Sequence, residues 1–328
     1  MNERKVELDI LKGIGIIFMI MGHIEYGDIF NKLIYGFHMV LFICVSGFLY
    51  KDYNGSVKSW LRKKGRSLLV PYLTFGALFL AISLTQGVLG MEPLEDFKSH
   101  FINFLWINTD GLAVAGAIWY LTAIFIIEFL FFSLNKKVKN RVIKVGVILV
   151  IFILGIILGN FGIRLPWAID VSFVGLFFYS ISVYLKKYER NLKNIKTYDI
   201  SILLVLGVCC ILFNDDVNLR MGNYGNPFLF VTGSLLTVFV IYRLALKISK
   251  YKNIFVNEIS YIGKKSLVYL CLNEFVLFFL KRLIINTSSE FIELISRIVV
   301  LLITLLVLHI IDIILEKTPF RIMLGKVY

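Results

Sequence analysis

The sequence predicts an all-α, polytopic integral membrane helical bundle of about ten transmembrane helices with both termini in the cytoplasm. Three observations lead there. The 328 residues are 58% hydrophobic and 17% charged, with a mean hydropathy of +0.81, whereas soluble domains average about 45–50% apolar and about 25% charged. Phe (29) and Tyr (16) abound while Pro (5) is scarce, which suits long uninterrupted helices and excludes a disordered, fibrous or disulfide-built chain. The cations are dispersed between apolar runs, so the net charge of +13 points to a membrane surface as partner and not to nucleic acid.

A helix needs about 20 mostly apolar residues to cross a hydrocarbon core about 30 Å thick. Ten segments qualify: 8–24, 34–50, 68–89, 117–134, 143–161, 171–186, 200–214, 226–246, 266–285 and 293–316. The first contains Asp9, Lys12 and His23, so it reads as a span and not as a cleavable signal. No soluble domain or low-complexity linker interrupts the series, which gives one transmembrane domain over 1–328. The longest connection, about 90–116, has room for a short re-entrant or interfacial piece. With the N-terminus inside, 27 of the 35 Lys and Arg fall on the cytoplasmic side, from Arg4 and Lys5 to Lys317, Arg321 and Lys326. Seven fall on the other: Lys32, Lys98, Arg164, Arg220, Lys281, Arg282 and Arg297. That loop-by-loop alternation supports an even helix count with both termini inside. Cys44, Cys209, Cys210 and Cys271 lie in apolar segments, have neither metal-ligand nor disulfide spacing, and read as small buried hydrophobes.

Ionisable groups inside spans are costly and therefore candidates for function. In the first helix Lys12 and His23 stand eleven residues apart, about 16 Å along the axis and close to three full turns, so they share a face. Gly13, Gly15 and Gly22 between them admit a neighbouring helix or a slender ligand. Two plainer readings stand beside this: Lys12 snorkelling to the surface and His23 resting at the headgroups. The second helix places His38 at a depth like that of His23. One imidazole can then serve as general base while the other supports it. A metal lacks a third ligand at fixed spacing. His100 reads as a solvated loop residue, and His309 with Asp312 as a packed polar pair. Arg62, Lys63, Lys64 and Arg66 either enforce topology or neutralise a phosphorylated cytosolic ligand. No Gly-rich phosphate loop is present, which disfavours a nucleotide-driven pump. Glu128 and Glu274 remain as proton-handling groups or as partners for Lys12.

These residues resemble the membrane-bound acyltransferase 3 family, in its branch of sugar O-acetyltransferases related to fucose 4-O-acetylase. The resemblance rests on Leu8-Asp9 and Leu11-Lys12-Gly13-Ile14 through Gly22-His23, then Phe37-His38-Met39, Ser46-Gly47-Phe48-Leu49 and the basic stretch up to Arg66 with Pro71-Tyr72. It continues through Ile118-Trp119-Tyr120-Leu121, Leu165-Pro166-Trp167 and Gly263-Lys264-Lys265-Ser266-Leu267. One departure stands out: Asn273 followed by Glu274 occupies the place where many relatives carry His. The resemblance implies transfer of an acetyl group from acetyl-CoA, without a metal, to a hydroxyl of a surface or exported, lipid-linked glycan, in a multi-pass protein of a bacterial-type cytoplasmic membrane. It implies His23, His38 and Lys12 as the catalytic set and Arg62, Lys63, Lys64 and Arg66 around the CoA phosphates. Asp9, Trp119, Asn273 and Glu274 are weaker candidates for binding substrate. The other reading that fits many spans and buried charges is a transporter of a polar or lipid-linked glycan precursor, although no inverted repeat is evident.

Overall fold

The computed structural model describes residues 5–90, 93–109, 116–194, 196–285, 287 and 289–325, which leaves Arg4 and Lys326 of the charge pattern outside the described residues. The chain is helical throughout, without a strand among those residues. Each of the ten expected segments is occupied by helix: α1 (Val6–Ile24), α2 (Asp28–Tyr35) with α3 (His38–Phe48), then α4 (Val57–Lys64) leading into α5 (Val70–Val88). After the short α6 (Leu94–Leu105) come α7 (Trp119–Lys137), α8 (Arg141–Asn160), α9 (Ile169–Leu185), α10 (Glu189–Lys193), α11 (Thr197–Phe213) and α12 (Pro227–Ile248). The chain closes with α13 (Ile254–Lys264), α14 (Ser266–Leu280) and α15 (Glu290–Lys317). Seven helical stretches among the described residues are long and apolar enough to cross a membrane. The remaining three of the ten, α1, α11 and α14, fall short: α1 carries Glu7, Asp9 and Lys12, and α11 and α14 span 17 and 15 residues.

Hydropathy and burial are opposed at their extremes. The most apolar stretches, Arg141–Asn160 (mean hydropathy 2.9) and Glu290–Lys317 (3.1), are the least buried, at 17% and 28%. The stretches Asp28–Phe48 (1.6) and Pro166–Leu192 (1.7) are 61% and 56% buried. Water would produce the reverse. In lipid, apolar faces can remain outside while helices with polar groups pack inward to satisfy them. The charged helix α1 accordingly sits at the centre, packed on α3, α12, α13 and α14, with Leu8, Ile10, Ile16 and Ile20 buried.

Glycine permits the tightest crossing. A Cβ on Gly263 would strike the Asp9 carbonyl, and one on Gly13 the Ile259 carbonyl, so α1 and α13 touch backbone to backbone. The glycines of the first helix thus admit a neighbouring helix. Between α4 and α5, Gly65–Leu69 forms one π-helical turn, a widened register that recurs at functional positions. In the long connection α6 packs against α5. His100, expected to be solvated, instead meets Ser83 through its Nδ1 at 3.0 Å. Asp312 bonds the Tyr261 hydroxyl at 2.6 Å and approaches Lys265 at 3.4 Å. His309 stacks on the Tyr261 ring, so the pair foreseen between His309 and Asp312 is joined through Tyr261.

Candidate active site

Two reversals bring the histidines together. At the end of α1, Glu25 adopts φ 69° and Gly27 φ 105°, left-handed conformations that turn the chain back into α2. Gly36 and Phe37 then interrupt the expected single helix over 34–50, and α3 starts afresh at His38. His38 Nδ1 lies 2.9 Å from the Ile34 carbonyl oxygen. A carbonyl can only accept, so Nδ1 carries the proton and Nε2 keeps its lone pair. The Tyr35 ring meets the imidazole edge-on, with centroids 5.3 Å apart.

His23 and His38 line one small cavity of about 80 Å³ together with Tyr35, Trp119, Arg220 and Glu274. Glu274 Oε1 lies 3.4 Å from His23 Nε2, while Oε2 accepts from the Gly116 backbone N–H at 2.7 Å. The carboxylate of Glu274 thus faces His23. A carboxylate held by a backbone amide and facing an imidazole fixes the orientation of the ring. Arg220 comes from the loop between α11 and α12. Its Nε donates to the Thr109 carbonyl at 2.7 Å, and Arg164 grips the Arg220 carbonyl while pairing with Asp170 at 2.8 Å. The Leu165-Pro166-Trp167 motif belongs to this brace: Trp167, at φ 57°, donates its indole N–H to the Leu105 carbonyl at 2.9 Å. A second cavity, of about 490 Å³, shares Tyr35 and Asn218 with the first and is lined by Asp28, Asn31, Lys32 and Asp216.

The other expected residues lie elsewhere. Lys12 is half-buried on α1 and Asp9 is buried; neither lines the histidine cavity, because the spacing that gives Lys12 and His23 a common face also holds them about 16 Å apart. Asn273 is wholly buried and turns back on its own helix, donating to the Tyr269 and Leu270 carbonyls. The basic group splits up at the far ends of α3 and α7. Lys64 pairs with Glu128 at 2.6 Å, Lys63 lies over the Tyr53 ring, Arg66 Nε donates to the Gly325 carbonyl at 3.0 Å, and Arg62 is exposed. A cavity of about 300 Å³ there is lined by Ser46, Lys51, Lys63, Lys64 and Glu128. Among the described residues no three His, Cys, Asp or Glu side chains gather as a metal site would need.

Of the residues singled out from the sequence, His23, His38, Trp119 and Glu274 line this cavity, together with Arg220, Tyr35 and Asn218, which the sequence does not single out as site residues. Arg220 is one of the seven cations on the outer side, and its local signal is the Asn- and Gly-rich stretch around it, Asn218 to Asn226. The chain matches no curated protein and no solved structure. The sequence model of the acyltransferase 3 family, described as an acyltransferase domain, matches residues 5–315. With nearly the whole chain covered and the bundle apolar enough to span a membrane, the protein belongs to the acyltransferase 3 family and is a membrane acyltransferase.

Proposed function

We propose that the protein carries an acetyl group from cytosolic acetyl-CoA to a hydroxyl of an exported or cell-surface glycan. One observation carries this reading. The two histidines meet Glu274 and Arg220 in a cavity at one end of α3 and α7, and Lys51, Lys63 and Lys64 line a cavity at the other end. The positive-inside rule puts the basic end in the cytosol, where the CoA phosphates belong, and the histidine end outside. The hydroxyl-rich acceptor is suited by the adjoining cavity, whose carboxylates, amides and Lys32 can bond sugar hydroxyls in both senses.

In this mechanism Glu274, 3.4 Å from His23 Nε2, orients the ring and leaves Nδ1 as the base. Nδ1 takes the proton as the acceptor oxygen forms its bond to the acyl carbon. The C–S bond then breaks and the sulfur leaves as CoA thiolate. Negative charge that builds on the carbonyl oxygen is balanced by the Arg220 guanidinium. His38, whose Nδ1 is held by the Ile34 carbonyl, offers Nε2 as an acceptor to which His23 can pass on that proton. The alternative in which His23 carries the acyl group uses the same residues.

The test is glycan acetylation in cells expressing His23→Ala or His38→Ala at matched protein levels. We expect acetylation to fall at least about 100-fold in each, the lower bound for losing a positioned acid–base group. Full acetylation in both would overturn the assignment. Reconstituted vesicles address the transporter reading: acceptor-dependent release of CoA is the expected result, and flux of a glycan precursor without acetyl-CoA would favour a carrier.

A further inference from the structure

A fourth cavity, which shares Tyr50 with the donor-side cavity, opens between α8 and α9 at the basic end. It is the largest of those described here, about 530 Å³, within the range of specific small-molecule sites of about 300–1,000 Å³. On α8 its wall is built from Arg141, Lys144, Val145, Ile148 and Leu149, which recur at helical spacing and so form one stripe. The stripe is graded. Cations occupy its first turn and branched apolar residues the next two, with Arg141 and Leu149 about 12 Å apart along the axis. On α9 the gradient runs the same way, from Phe177 and Ile181 to Lys186 and Lys187 just beyond the helix end.

The cations are short of counter-charge. Lys144 donates to the amide oxygen of Asn135 at 2.6 Å and Lys186 to the Tyr50 carbonyl at 2.5 Å, both neutral acceptors, and Asp52 is the single carboxylate in the wall. Arg141 lies over the Tyr184 ring at 5.6 Å, which keeps its guanidinium at the mouth. Four cations facing one carboxylate repel each other unless an anion enters, and the apolar half has no use for a wholly polar one. The groove also opens sideways onto the lipid-facing surface, since Val145 and Leu149 are 51% and 43% exposed.

The geometry points to a binding site for an anionic glycerophospholipid, with its phosphate among Arg141, Lys144 and Lys187 and an acyl chain along Ile148, Leu149 and Phe177. The lipid ties α8, the least buried of the membrane helices, to α9.

Native mass spectrometry of the full-length protein in neutral detergent, titrated with phosphatidylglycerol or phosphatidylcholine, tests this. We expect at least tenfold preferential retention of phosphatidylglycerol. The preference should be abolished by K144Q/K187Q and also by Leu149→Trp, whose indole fills the chain groove without altering charge. If the double variant misfolds, the exposed single variants R141Q and K187Q should each lower the preference severalfold. Chain-free glycerophosphoglycerol at millimolar concentration should not compete. Retention unchanged in the charge variants would overturn the proposal. Displacement by the chain-free headgroup would overturn it in favour of a soluble phosphate site, and displacement by CoA would reassign the cavity to the acyl donor.

Discussion

In the proposed mechanism Glu274 organises the reacting centre. Its carboxylate is fixed by the Gly116 amide and faces His23 at 3.4 Å, so its effect on chemistry passes through the imidazole. Glu274→Gln retains the shape but removes the carboxylate charge that faces His23. We expect a rate loss of about tenfold to 1,000-fold, with donor KM little changed, measured by CoA release. A larger change in KM than in kcat would place Glu274 on substrate. Lys64 and Glu128 offer the matching test at the basic end. Removing Lys64 strands a carboxylate that is 11% exposed, so Lys64→Met should destabilise the protein more than Lys64→Met combined with Glu128→Gln, in a double-mutant cycle read by thermal unfolding. These pairings were only half legible in the sequence. Bilayer cost singled out Glu128, Glu274 and Lys12 as polar residues in expensive places, but gave no means of matching them. Eleven-residue spacing told that Lys12 and His23 share a face, whereas which cavity each one reaches depends on α13 and α14, whose placement no local pattern encodes.

Among the elements, α1 was the easiest to find and the hardest to classify. Its length and apolar run mark it as helix, and its charges keep it below the apolarity of a plain span. The structure accounts for both: it is the hub, and α13 seals against it through Gly13 and Gly263. Gly263→Ala should cost about 1–3 kcal/mol, the usual price of overpacking, because the obstruction is the Asp9 carbonyl, a backbone atom that cannot rotate away. Gly146, which has open space around it, is the control: Gly146→Ala should be neutral or stabilising, by up to about 1 kcal/mol. Thermal melts of both variants in one detergent measure the difference. Where the sequence reading ran one helix over 34–50, the chain instead breaks at Gly36 and Phe37. Apolarity continues through that break, so composition could not show it, yet it is this break that puts His38 at the mouth of a helix with its Nδ1 held.

At the scale of the molecule, alternating charge predicted which loops share a side, and the cavities sort the same way. His23, His38, Arg220 and Asp216 stand at one end, and Lys63, Lys64, Arg141 and Lys187 at the other. In a background lacking the four native cysteines, Asp216→Cys should react with a membrane-impermeant thiol reagent on intact cells, and Lys139→Cys only after permeabilisation. The opposite pattern would invert the protein. The short α3 then has an electrical consequence. Cavities reach its two ends, so the layer between them is about 16 Å thick, near half of the hydrocarbon core. Phe42 and Tyr120, with ring centroids 6.0 Å apart, lie within that layer. Membrane voltage therefore falls over a short, aromatic dielectric. A unit charge crossing it exchanges most of its about 2.3 kcal/mol per 100 mV there, whereas the neutral acyl group of the proposed transfer does not feel the field.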